Sequence, residues 1–155
     1  MKAQYQPADA ASAEEASRFL TDQSLAPVLA GARARGMADA FELLGVAAIL
    51  IDECGFALHV SARARRLLGS ELRIDAGRLR ATRREPDSAI VAAVESAVAG
   101  VTPTGDAANI EFAATARGAI GVRILPVAVE PDDSFQLLRA IAIIEERKAG
   151  CGALN

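Results

Sequence analysis

Apolar residues along this chain recur first at helical spacing and then in short, nearly unbroken runs, and the changes of pattern mark its elements. Leu25, Leu29, Ala32, Met37, Phe41 and Leu44 step mostly by three or four, which predicts one helical stripe over residues 25–44. Pro27 falls in the first turn, where its missing N–H has no intrahelical partner to lose. Gly31 and Gly36 weaken this helix, Gly36 is its expected break, and Gly45 stops it. Upstream, Ser12 and Glu15 have the spacing of a capping box, which predicts a short separate helix from Ser12 with Ala16, Phe19 and Leu20 as its apolar face. Residues 1–11 read as a flexible tail.

Val46 to Ile51 is a short apolar run with three β-branched residues, the pattern of a central strand buried on both faces. Asp52-Glu53-Cys54-Gly55 is a turn, and Phe56 to Val60 returns as a second strand. Ser61 is placed to cap a short helix over Ala62 to Leu68, closed by Gly69. Residues 70–85 are less regular, with Leu72, Ile74 and Leu79 able to tuck inward. A longer helix follows over residues 86–99, its buried stripe formed by Ile90, Val91, Val94, Ala97 and Val98. Asn109 to Ala114, Gly121 to Val129 and Leu137 to Ile144 then read as three strands joined by hairpin-length loops. Strands in succession make an antiparallel meander, so the predicted class is α+β. The expected organisation is a tail (1–11), a helical extension (12–44), a domain (45–146) and a second tail (147–155).

Composition narrows the function. A net charge of −3 calls for no polyanionic partner, yet eight arginines lie between Arg63 and Arg84. No aromatics are interleaved with them for base stacking, so a solvated or protein-docking face is expected and direct nucleic-acid binding is not. The two cysteines suggest neither a disulfide framework nor a zinc site. Cys54 is flanked by Asp52 and Glu53, which oppose a reactive thiolate. His59 is the only histidine and no nucleophile elbow accompanies it, so it reads as a strand residue and no enzyme is expected. The longest apolar run is too short to span a bilayer and the N-terminus has no signal-peptide core, which gives a cytoplasmic expectation with no membrane partner.

The strand, the Asp-x-x-Gly turn, the return strand and the short helix ending Leu67-Leu68-Gly69 together resemble the opening of a PAS domain. The matching residues are Val46 to Ile51, Asp52, Gly55, Leu58, Ala62, Ala64 and Leu67 to Gly69, and the likeness covers about residues 43–146. Ser61 departs from the Asn that many PAS domains carry there. The spacing and the Arg-rich middle are most similar to PAS domains that precede LuxR-type helix-turn-helix regions of bacterial transcriptional regulators. The resemblance implies a five-stranded antiparallel sheet of order 2-1-5-4-3 with helices on one face. It also implies a non-catalytic sensor, with the output or DNA-binding domain expected outside this chain. Haem is not expected, because the long helix lacks a histidine, and flavin is not, because the Asn-Cys-Arg-Phe run is absent. Leu67, Val91 and Val94 are the candidate wall of a small-ligand pocket, with a filled, ligand-free core as the alternative. The stripe of Leu25, Leu29, Met37, Phe41 and Leu44 must be buried on the sheet or on a second copy; PAS domains commonly dimerise through such a helix, so a homodimer is expected. The competing class is a constitutive dimerisation scaffold that senses nothing.

Overall fold

A computed structural model describes residues 9–101, 109–112, 118–128 and 136–147, with side chains from residue 27 to residue 146 of those. Ten elements follow one another: α1 (Asp9–Leu44), β1 (Ala48–Asp52), β2 (Ala57–Val60), α2 (Ala62–Leu67), β3 (Leu72–Asp75), β4 (Arg78–Ala81), α3 (Arg84–Val98), β5 (Asn109–Glu111), β6 (Ala119–Pro126) and β7 (Leu138–Arg147).

The amino-terminal region departs from the expectation of two separate helices, and residues 1–8 of the expected tail lie outside the described residues. One helix of 36 residues runs from Asp9 through Pro27 and Gly36 to Leu44. Ser12 therefore lies within α1 and not at its cap, and the side chains of the expected capping box fall outside the described residues. Pro27 removes one helical hydrogen bond, yet the helix continues through it. Gly45, at φ 63°, ends it in the left-handed conformation glycine adopts most easily.

Five strands form one antiparallel sheet in the order β2-β1-β7-β6-β5. In chain numbering this is 2-1-7-6-5 and not 2-1-5-4-3. The difference is a separate two-stranded sheet, β3–β4, which takes two numbers in the middle of the chain. Within the large sheet alone, its second, first, fifth, fourth and third strands are the successive neighbours. The β3–β4 hairpin occupies the stretch expected to be irregular. Ala76 and Gly77 both have positive φ, as a two-residue hairpin turn requires, and Leu72 and Ile74 alternate along β3 while Leu79 and Ala81 alternate along β4.

Alternation along β1 sorts the core into two layers. Ile49 and Ile51 face α2, α3 and the β3–β4 hairpin, where Val122, Ile124, Ala142, Ile144, Leu72 and Ile90 complete the main core. Leu50 faces the other way and meets Met37, Ala38 and Phe41 of α1, with Leu138, Ile141 and Val127 beside it. The sheet is thus covered on one face by most of the helical and hairpin mass and on the other by the carboxyl-terminal half of α1.

Candidate functional site

The two faces of the sheet communicate at the start of α2. The Ser61 side chain is the one buried polar side chain among the described residues. Its hydroxyl donates to the Val46 carbonyl at 2.9 Å and accepts from the amides of Ala48 at 3.0 Å and Ala64 at 3.2 Å. One oxygen therefore caps α2, as the sequence indicated, and also fixes the entry of β1. Beside it, the Glu42 carboxylate of α1 accepts from the Ala62 amide with both oxygens, at 2.9 and 3.1 Å. An anion is favoured there, at the positive end of α2. His59 Nε2 on β2 lies 3.2 Å from the same carboxylate. Glu42 thus fastens the last turn of α1 to β2 and α2, a contact that spans 20 residues of sequence.

The β1–β2 turn is built by Asp52, whose Oδ1 accepts from the Cys54 amide at 2.9 Å and the Phe56 amide at 2.7 Å. Gly55 is buried at φ 81°, and a Cβ there would stand 3.1 Å from Arg78 Nη1. Arg78 lies over the Phe56 ring, 4.3 Å from its centroid. The Ala57 amide donates to the Gly77 carbonyl at 2.8 Å. These contacts lock the small hairpin onto the turn. Cys54 is exposed.

Most of the Arg-rich segment is engaged within the chain. Arg80 grips Asp87 at the start of α3 with two hydrogen bonds of 2.8 and 2.6 Å, and the Ala81 amide adds a third at 2.9 Å. The Arg80 guanidinium hydrogen-bonded to it holds the Asp87 carboxyl below the ordinary carboxylate range, against the opposing effect of partial burial. Arg83 pairs with Glu71 at 3.3 Å, Arg73 with Asp75 at 3.5 Å and Arg63 with Glu146 at 4.0 Å. The Arg80–Asp87 and Arg83–Glu71 contacts tie the β3–β4 hairpin and its flanks together, and the Arg63 contact joins α2 to β7.

The expected pocket residues lie on α2 and α3. Leu67 and Val94 are half-buried against the main core, and Val91 is half-buried outside that cluster. A groove of about 420 Å³ lies on the other side of the sheet, between α1 and the β1–β2 hairpin. It exists because α1 presents Gly31, Ala34 and Ala38 there, too small to fill the space over Leu50. Arg35, Asp39 and His59 bring charge and polarity to it, and Leu58 and Leu137 bring apolar surface. A second cleft of about 520 Å³, lined by Val98, Pro126 and Arg139 among others, opens at the end of α3.

The expected dimer stripe divides. Met37 and Phe41 pack on the chain's own sheet, Leu29 and Leu44 are 60% and 74% exposed, and the side chain of Leu25 lies outside the described residues. Helix periodicity explains the split: 37 and 41 share the sheet-facing side, while the opposite side carries Leu29, Ala32, Gly36, Ala40 and Leu43, all exposed. Leu43 is 89% exposed.

Comparison with family models, curated proteins and solved structures finds no match for this chain. Sequence reasoning did not single out Glu42, Arg35 or Asp39. The available signal was their 3-4 spacing beside the small residues of α1. Among the described residues no group of His, Cys, Asp and Glu is placed to hold a metal ion, and no helix is long and apolar enough to cross a membrane.

Proposed function

We propose that this chain is a non-catalytic sensor and dimerisation module of PAS type, serving bacterial signal transduction as the regulatory part of a transcriptional regulator. The observation that carries the reading is the two-sided character of α1. At about 1.5 Å per residue its 36 residues extend about 54 Å, and its last half rests on the sheet through a thin contact: Met37, Ala38 and Phe41, fastened at the end by Glu42. Its opposite side carries Leu29, Ala32, Gly36, Ala40 and Leu43 at intervals of three and four, the spacing of a helix–helix seam. Leucines this exposed on a solitary helix favour a partner, and the occupant we assign is α1 of a second copy. A thin contact on one side and a seam on the other make α1 the element whose position a ligand or partner can bias.

The α+β sheet flanked by helices is compatible with the PAS assignment, as is the hairpin opening capped by Ser61. The His59–Glu42 pair supports a structural and not a catalytic role, because the carboxylate is already engaged by the α2 amide and no serine, threonine or cysteine lines the adjoining groove. The test is to join the chain to a DNA-binding domain active only as a dimer and read a reporter. The wild type should give reporter control, and Leu29→Glu plus Leu43→Glu should abolish it. A fusion that never supports dimer-dependent control contradicts the reading. Control indifferent to every added small molecule leaves only the scaffold.

A further inference from the structure

We propose that the groove between α1 and the outer face of the sheet binds a small zwitterion with an apolar side chain, an apolar α-amino acid being the simplest member of that class. This rests on the sensor reading only for its regulatory consequence, since it names the ligand class and the place where it binds.

Arg35 and Asp39 stand one helical turn apart and both line the groove. Among the described residues neither has an ion pair or a side-chain hydrogen bond. An i, i+4 pair with the cation on the amino-terminal side is the weaker orientation for mutual pairing, which leaves both groups available. The remaining polar group in the groove, His59, is held by Glu42. A plain anion drawn to Arg35 meets repulsion from Asp39, and a plain cation drawn to Asp39 meets it from Arg35. A ligand bearing both charges close together satisfies both, its carboxylate on the guanidinium fork and its ammonium on the carboxylate.

The rest of the groove specifies the body of the ligand. Leu50 is buried beneath it, and Leu58 and Leu137 are 43% and 45% exposed beside it, so a side chain laid across them removes apolar surface from water. The space of about 420 Å³ lies within the range of small-ligand sites and suits an amino acid better than a long lipid chain. A ligand seated there touches α1 and the β1–β2 hairpin at once. It reinforces the thin contact of Met37, Ala38 and Phe41 and shifts α1 toward its sheet-docked arrangement.

The test is titration of the full chain with L-leucine and L-phenylalanine at millimolar concentration, followed by calorimetry and by amide chemical shifts, with N-acetyl-L-leucine and L-leucinamide as analogues that each lack one charge. The expected result is saturable shifts at residues 31–39, 50, 58–59 and 137, and binding at least about tenfold weaker for both analogues. Arg35→Ala and Asp39→Ala, each at an exposed residue of α1, should each weaken L-leucine binding by a similar factor while leaving the far-ultraviolet dichroism unchanged. No saturable shift with either amino acid overturns the proposal, as does equal binding of the acetylated analogue, or a shift pattern centred on Leu67 and Val94. Sedimentation of the same samples keeps the two readings apart. Dimers that bind no amino acid remove the site and keep the dimerisation reading, whereas binding by a chain that stays monomeric keeps the site and removes the dimer.

Discussion

Replacing Ser61 with alanine removes one oxygen and strands three backbone groups. The Ala64 amide loses its cap, a change that typically costs about 0.5–2 kcal/mol. The Ala48 amide, in a fully buried part of β1, loses its acceptor, and an unsatisfied buried donor costs about 1–3 kcal/mol. The Val46 carbonyl loses a donor but can recruit water more readily, since its residue is only half-buried. The two larger effects share one atom and are not independent, so a total of about 2–4 kcal/mol is expected, against a typical domain stability of about 5–15 kcal/mol. The chain has no tryptophan, so urea unfolding is followed by circular dichroism at 222 nm. Ser88→Ala, whose hydroxyl makes an exposed bond to the Arg84 carbonyl, is the control and should change stability by no more than about 0.5 kcal/mol. A Ser61→Ala midpoint within error of the control, at unchanged slope, would refute the reasoning that a single hydroxyl joins β1 to α2.

Three further outcomes follow from the same contacts. Asp87 has a folded pKa below its unfolded value near 3.9, so the stabilisation it gives is complete above that value and is lost as pH falls through the lower folded one; Asp87→Asn should therefore flatten the acid limb of a stability–pH curve below about pH 4. Gly55→Ala forces a Cβ into a left-handed conformation and against Arg78, and should lower stability by about 1–3 kcal/mol in thermal unfolding, whereas Gly69→Ala, which meets open space, should not. Glu42→Ala removes the acceptor of the Ala62 amide, so amide exchange should accelerate in residues 27–44 and around Ala62 while β6 and β7 keep their protection; uniform acceleration would contradict α1 being a separately biased element.

Elements fixed by local chemistry were the legible ones. The apolar run of β1, the Asp52–Gly55 turn and the Ser61 cap each depend on neighbours a few residues away, and each could be placed from the sequence. The β3–β4 hairpin is also local, but arginines interrupt its alternating Leu72, Ile74, Leu79 and Ala81, and its Asp75-Ala76-Gly77 turn lies in the stretch expected to be irregular. What stayed illegible depends on long-range placement. Helix periodicity gave α1 an apolar stripe, yet only packing against Leu50 and Ile141 decides that Met37 and Phe41 turn inward while Leu29 and Leu43 stay in solvent. The groove is of the same kind, since the small size of Gly31, Ala34 and Ala38 becomes an opening only when Leu58 and Leu137 are brought opposite. Glu42 acquires its meaning from an amide 20 residues away.

The central claim is that α1 meets a second copy through its outward side. Native mass spectrometry of the chain, compared with Leu29→Glu plus Leu43→Glu, tests it most directly. The wild type should be a dimer and the variant a folded monomer. A wild-type chain that stays monomeric at micromolar concentration, or a variant that dimerises as well as the wild type, would contradict it.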